Sequence, residues 1–193
     1  MKKQKSILQG GLVKMRDAYE KKLNEVKHEI LSLSQSCLDY FKEVTSHQEL
    51  TIRYSDLFAL SEHIQKKCME LLLLQAPVAS DLRFVGNSLK MAMDLDRIAS
   101  HTREYAINLG ELDLEIVDKQ DMIDTVIKMF HVFMNHYEHN TNGHEEMNAL
   151  EIKMDELYEQ KISVLKTTLI VEEVMLVKYL ERMADHLLNL TSF

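Results

Sequence analysis

Four carboxylates in the C-terminal part of the chain have the residue types and spacing of a cation site. Glu181 falls on a line of apolar residues at helical spacing, and Asp185 follows one turn later. Glu151 lies on a second such line, with Asp155 one turn later. An ionised carboxylate beside a buried seam is costly unless it is paired or bound to a metal. The spacing thus allows a site in which these four acids pool around one cation.

The ligand atoms of these four acids limit which cation could bind. Ligands that offer only oxygen favour hard ions such as Mg²⁺, Mn²⁺, Ca²⁺ or iron, and we expect a divalent or iron cation, Fe, Mg, Mn or Zn. The alternative is that the acids lie at the edge of the apolar stripe, with Arg182 or Lys153 beside them and water around them. Surface acids are abundant on helices, so spacing alone favours this second interpretation.

An internal repeat gives the acidic motif a counterpart in the first half. Leu95–His101 (LDRIASH) matches Leu180–His186 (LERMADH), with four identical positions and Asp96 in place of Glu181. Ser100 stands where the second copy has Asp185. The first copy therefore predicts at most a degenerate site, with Asp96 as its one motif acid.

The elements that would position these residues are long helices. One Pro and five Gly are too few for the turns of an all-β fold. Candidate caps are Ser46 with Glu49, Asn142 with Glu145, and Ser80-Asp81 after the break at Pro77, while Gly110 marks a helix end. Together with apolar periodicity they predict six helices, at about 5–44, 48–75, 80–109, 115–140, 144–168 and 171–191.

Charge and composition exclude several functions. The 31 acidic and 23 basic residues give a net charge of −8, with no basic cluster beyond Lys2–Lys5, so we expect no nucleic-acid partner. The densest apolar run, Leu71–Leu74, is far too short for direct membrane insertion. Cys37 and Cys68 lack CxxC spacing and are predicted to be small buried groups in a reducing compartment.

Other chemical motifs are weak. His136 and His139 are spaced to share a metal, but a solvated helix end is the preferred interpretation. His144-Glu145 begins like a zinc protease motif, yet Asn148 stands where its second histidine belongs. The chain also lacks phosphate-binding glycine loops and nucleophile elbows. With no candidate base or nucleophile, we expect a protein that is not an enzyme.

Taken together, these residues resemble the PhoU family. The resemblance rests on Gln75–Arg83 (QAPVASDLR), which matches the family's Pro-x-Ala-x-Asp-Leu-Arg helix start, and on the two acidic motif copies. It implies an all-α fold of two tandem three-helix bundles related by pseudo-two-fold symmetry. The first repeat would span residues 1–110 and the second residues 111–193.

The resemblance also implies a function. Family members regulate the phosphate-specific ABC transporter and its sensor histidine kinase, and some carry metal clusters on the acidic motifs. We accordingly expect a cytoplasmic adaptor, a homodimer, that reaches the membrane through the transporter ATPase and the kinase. Carried over, the metal residues are Glu151, Asp155, Glu181 and Asp185.

The first half departs from the family pattern. Tyr54 and Phe58 stand where acidic or polar residues are expected, and Ser61 replaces an acid, which weakens a metal site there. Three alternatives stay open: a metal-dependent helical carboxylate enzyme, a purely structural oligomerisation module, and a divergent PhoU-like protein that serves another transporter.

Overall fold

The structure is a computed structural model that describes residues 2–46, 48–73, 79–110, 116–167 and 170–192, with side chains from residue 16 onward. These residues form six α-helices and no strand: α1 (Lys2–Thr45), α2 (Tyr54–Leu73), α3 (Ala79–Gly110), α4 (Gln120–His139), α5 (His144–Leu165) and α6 (Val171–Asn189). The prediction of an all-α fold is therefore confirmed.

The helices pack in two groups of three. α1, α2 and α3 contact one another, as do α4, α5 and α6, while α3 against α6 and α1 against α4 join the groups. α3 and α6, the helices that carry the two motif copies, form the most extensive helix pairing in the described chain. One continuous core of buried side chains includes Phe41, Leu95, Phe130 and Leu180. A division into repeats at residue 110 stays a prediction.

The predicted start of α2 is wrong. Ser46 does not cap a helix with Glu49; its hydroxyl donates to the Lys42 carbonyl at 2.6 Å, at the end of α1. The Glu43 carboxylate instead accepts the backbone N–H groups of Thr51 and Ile52 at 2.9 and 3.1 Å. These bonds hold the segment before α2 outside the helix, so α2 begins at Tyr54 and not near residue 48.

The other predicted caps differ in detail. Asp81 lies buried in the first turn of α3, where it accepts a 2.5 Å hydrogen bond from Arg16 of α1. Asn142 accepts the N–H of His144 at 3.0 Å, which is a local turn and not the predicted box with Glu145. α3 ends at Gly110, as predicted. Pro77 and its predicted break lie outside the described residues.

A buried ion pair holds the segment that leads into α4. The Lys119 ammonium lies 3.0 Å from the Glu173 carboxylate of α6, and both side chains are almost fully buried. Glu173 also accepts the N–H groups of Ile116 and Val117 at 2.9 Å. Because these N–H groups bond to α6, α4 begins at Gln120 and not near residue 115.

The cysteines occupy the core as predicted. Cys37 and Cys68 are free and buried. Burial is the main cause that raises the pKa of the Cys68 thiol to about 11, so the neutral thiol dominates near pH 7. Among the described helices, none is both long and apolar enough to cross a bilayer.

Candidate functional site

The packing of α5 against α6 brings the four predicted acids into one electrostatic neighbourhood. Burial is the largest cause that raises the pKa of Glu151, and the charges of Asp155, Asp185 and Glu181 raise it further. Glu151 and Glu181 are half-buried, whereas Asp155 and Asp185 are exposed. The four carboxylates therefore form one acidic face, here called the α5–α6 acidic face.

One cation of the chain already touches this face. The Lys178 ammonium lies 2.6 Å from the Glu181 carboxylate, one helical turn away on α6. The same ammonium lies 4.9 Å from the centre of the Tyr158 ring of α5. Lys178 therefore supplies part of the positive charge that the acids need.

The acids remain mutually repulsive despite Lys178. Although Asp185 is exposed as a residue, partial desolvation of its carboxylate raises its pKa, and the charge of Glu181 raises it again, while Lys178 lowers it only in part. A bound cation would relieve this repulsion. In their present positions, however, the four side chains do not form a complete metal site. Among the described residues, no group of three or more His, Cys, Asp or Glu is positioned to hold one metal ion. The metal assignment stays a prediction, and Lys178 already neutralises part of the charge of Glu181.

The counterpart face of the first half is built differently. The Tyr54 hydroxyl of α2 donates to Asp96 at 3.4 Å, and the Arg103 guanidinium lies 4.6 Å from the centre of the Tyr54 ring. Ser61 donates to the Ala92 carbonyl at 2.8 Å. Burial raises the pKa of Asp96, and the Tyr54 hydrogen bond lowers it in part. The predicted degenerate site thus has Asp96 paired with a tyrosine and lacks a second motif acid.

The last residues of the two motif copies meet, which sequence reasoning missed. The His101 ring of α3 stacks on the His186 ring of α6, with centroids 5.6 Å apart, and on Tyr179 at 5.7 Å. His186 Nδ1 also lies 2.9 Å from the Asp94 carboxylate. Burial, followed by the charges of His186 and Arg182, lowers the pKa of His101 to about 4. The sequence did contain a signal for this contact, because both histidines occupy the same position in the two motif copies.

The two histidines near the end of α4 make separate local contacts. His136 Nδ1 lies 2.6 Å from the Thr141 hydroxyl, and His139 Nδ1 lies 2.8 Å from the Asn135 carbonyl oxygen. The preferred interpretation, a helix end with local hydrogen bonds, agrees with these contacts.

Comparison with known proteins finds similarity to one protein family. The PhoU domain model matches residues 21–108, within the first half. A Synechocystis sp. protein named phosphate-specific transport system accessory protein PhoU homolog is 28% identical, over 91% of this chain and 88% of the relative. Proteins of the same name from Archaeoglobus fulgidus and Clostridium acetobutylicum are 29% and 25% identical, over 69% and 90% of this chain and 66% and 91% of the relatives. The resemblance to the PhoU family is thereby confirmed: residues 21–108 match the PhoU domain model, and most of the chain is similar to proteins named as PhoU homologs.

Proposed function

We propose that this protein is an accessory regulator of a phosphate-specific transport system. The observation that carries the proposal is the similarity to proteins of that name, which in two cases covers 91% and 90% of the chain. The protein acts as an adaptor: it docks on the transporter ATPase and on a sensor histidine kinase and represses uptake or starvation signalling. It works in the cytoplasm as a homodimer.

The acidic surface supports recruitment through a partner. A net charge of −8 opposes direct adsorption to an anionic leaflet, because like charges repel at the membrane surface. The protein therefore reaches the membrane with its partner complex. Mutation of the α5–α6 acidic face weakens this recruitment, either by removing contacts to the partner or by loss of a cation that shapes the surface.

The reporter experiment tests the regulatory role. Deletion of the gene is expected to raise phosphate-starvation reporter output and phosphate uptake in phosphate-rich medium, because repression is lost. Complementation with the wild-type gene should restore repression. A deletion strain that matches the parent in both high and low phosphate would contradict this role and favour a PhoU-like protein that serves another transporter.

We further propose that the α5–α6 acidic face binds one divalent or iron cation per chain. The support is the shared repulsion that raises the pKa of Glu151 and Asp185. When bound, the cation would neutralise the carboxylates and bridge α5 to α6, with Glu151, Asp155, Glu181 and Asp185 as its ligands.

Elemental analysis of the purified protein tests the cation. Asp185→Ala is expected to lose the bound metal, since one of the four acids is removed. Asp96→Ala is the matched control in the other motif copy and should retain the metal. Equal metal content in wild type and Asp185→Ala would refute the site without bearing on the regulatory role.

A metal-dependent enzyme is the second candidate. The observation that favours it is the raised pKa of Glu151, since carboxyl groups of this kind serve as general acids or bases. It requires a metal-dependent hydrolytic activity that Glu151→Gln abolishes while metal binding persists. If metal-loaded protein does not turn over any of a panel of phosphate esters, the enzyme function is contradicted and the adaptor function remains.

A further inference from the structure

A cavity of about 290 Å³ opens between α3, the α4–α5 turn and the end of α6. Its apolar floor comes from these separate elements, with Met91 of α3, Phe133 of α4 and Leu190 just after α6. Phe133 also stacks on Tyr137, with ring centroids 5.4 Å apart. Such a floor offers an apolar or aromatic body a contact surface, as small-molecule sites commonly do.

The turn residues form a polar wall of the cavity, and the turn itself holds this wall in place. Asn140 ends α4 in the left-handed conformation, with φ of 52°. Gly143 packs against the His136 ring so closely that a Cβ there would lie 2.4 Å from His136 Cδ2. The turn residues Asn140, Thr141 and Asn142 therefore have little freedom to retreat from the cavity that they line.

Two fixed donors determine how both asparagine amides are oriented. The Lys27 ammonium donates to Asn140 Oδ1 at 2.9 Å, and the His144 N–H donates to Asn142 Oδ1 at 3.0 Å. Ammonium and peptide N–H groups can only donate, so the atoms that they face must be the amide oxygens. Each asparagine thus keeps its NH₂ group for another partner, and neither NH₂ is bonded within the described residues. Both asparagines are exposed and line the cavity, so their NH₂ groups are available to an acceptor-rich ligand.

The local charge favours an anion. Lys27 donates to the Glu138 carbonyl and to Asn140, both neutral acceptors, so no carboxylate neutralises it in these contacts. The N-terminus of the 22-residue helix α5 begins beside the same wall and adds positive potential, which Glu145 and Glu146 of its first turn offset in part. The Glu146 carboxylate opposes an anion, but it lies 3.6 Å from His136 Nε2 and faces the imidazole.

We propose that this cavity binds a small organic molecule in which an apolar or aromatic body carries an oxyanion. The body rests on Met91, Phe133 and Leu190, and the oxyanion accepts hydrogen bonds from the amides of Asn140 and Asn142 beside Lys27. The volume is at the lower end of ligand pockets, so the ligand has the size of a substituted ring. The site is separate from the α5–α6 acidic face.

Calorimetry on the full chain with phenyl phosphate, benzoate, phenol and inorganic phosphate tests the site. Phenyl phosphate or benzoate is expected to bind, and phenol and inorganic phosphate at least tenfold more weakly, because each lacks one part of the recognition. Asn140→Asp and Asn142→Asp keep the oxygens that Lys27 and His144 need, and they replace the donors with negative charge. Each should weaken binding by about 10- to 100-fold, as loss of a hydrogen bond to a charged group does.

Asn148→Asp, exposed on α5 and outside the cavity lining, is the control and should bind normally. Circular dichroism and thermal melting of each variant establish that it is folded. The proposal is overturned if none of the four probes binds at millimolar concentration. It is also overturned if the folded Asn140→Asp and Asn142→Asp proteins bind as wild type does, or if inorganic phosphate binds as well as phenyl phosphate.

Discussion

Buried and half-buried carboxylates of α5 and α6 behave in opposite ways, and their neighbours explain why. Burial opposes ionisation of Glu173, but hydrogen bonds from Val117, Ile116 and Lys119 outweigh it and lower the pKa of Glu173. Glu151 has acids for neighbours, which add to burial and raise its pKa. The ionised form of Glu173 therefore stabilises the fold, whereas the ionised form of Glu151 destabilises it.

Removal of the Glu173 carboxylate should be strongly destabilising. Glu173→Ala is expected to lower the free energy of unfolding by about 3–5 kcal/mol, because Lys119 and two backbone N–H groups lose a buried acceptor. Urea unfolding measures the change. Glu172→Ala, the neighbouring acid in the same helical turn, should cost under about 1 kcal/mol. Similar losses in both variants would contradict the role given to the buried pair.

Removal of the Glu151 charge should stabilise the protein at neutral pH. A carboxyl group with a raised pKa holds more protons folded than unfolded, so its contribution to stability falls as pH rises from its ordinary value through the raised one. Glu151→Gln is therefore expected to melt at a higher temperature than wild type at pH 7 and at an equal one near pH 4. The melts are run with chelator present.

Glu156→Gln, on the exposed side of α5, is the control for Glu151→Gln and should show no such pH-dependent gain. In melts without chelator, added Mn²⁺ should raise the melting temperature of wild type more than that of Glu151→Gln. A Glu151→Gln protein that is less stable than wild type at pH 7 would be evidence against repulsion on the α5–α6 acidic face.

At the scale of elements, periodicity in the sequence predicted each helix, but tertiary contacts set several ends. The apolar stripes of α2 and α4 were visible because every turn repeats them. The starts of these helices depend on Glu43 and Glu173, which bond to backbone N–H groups of segments next to α2 and α4. Glu173 lies 57 residues from Ile116, and no local pattern reveals such a bond.

Gly143 and Gly86 have very different surroundings, so alanine substitutions at the two positions give a matched test of helix packing. A Cβ at Gly143 would meet the His136 ring at 2.4 Å, whereas a Cβ at Gly86 within α3 would meet nothing within 4 Å. Gly143→Ala is expected to cost about 1–3 kcal/mol because the ring must move. Gly86→Ala should instead stabilise the protein by about 0.5–1 kcal/mol, since alanine favours helix interiors. Denaturant unfolding distinguishes them, and a neutral Gly143→Ala would show that the α4–α5 turn is not tightly fixed.

At the scale of the whole molecule, the sequence indicated the repeat and the acids but not how they meet. The acids of the second half were predictable because their spacing places them on facing helices. The Lys178 contact, the Tyr54–Asp96 pair and the His101–His186 stack were not, because each depends on side-chain packing between turns or helices. The cavity at the α4–α5 turn was missed for the same reason, since it joins residues from three elements.

The histidine stack makes the contact between α3 and α6 sensitive to acid. A folded-state pKa of about 4 for His101 means that the unfolded chain binds a proton first, so stability is lost as pH falls from about 6.5 towards 4. His101→Phe keeps an aromatic ring in place and removes the titration. It is expected to lose less stability than wild type between pH 6.5 and pH 4, measured by thermal melting.

His28→Phe, on the exposed surface of α1, is the control for His101→Phe and should follow the wild-type acid dependence. The charges that face His101 are those of His186, Arg182, Arg97 and Glu104, and they are unchanged in His101→Phe. Parallel acid curves for wild type and His101→Phe would mean that other groups cause the loss.

The stacked histidines also make the two motif copies partners within one chain. They occupy the same place in two copies of one motif, as residues do across the two-fold axis of a homodimer. In a homodimer such a contact joins two identical subunits, so both sides must carry the same residues. Here the contact is internal, and the two copies can differ: the first has Ser100 where the second has Asp185.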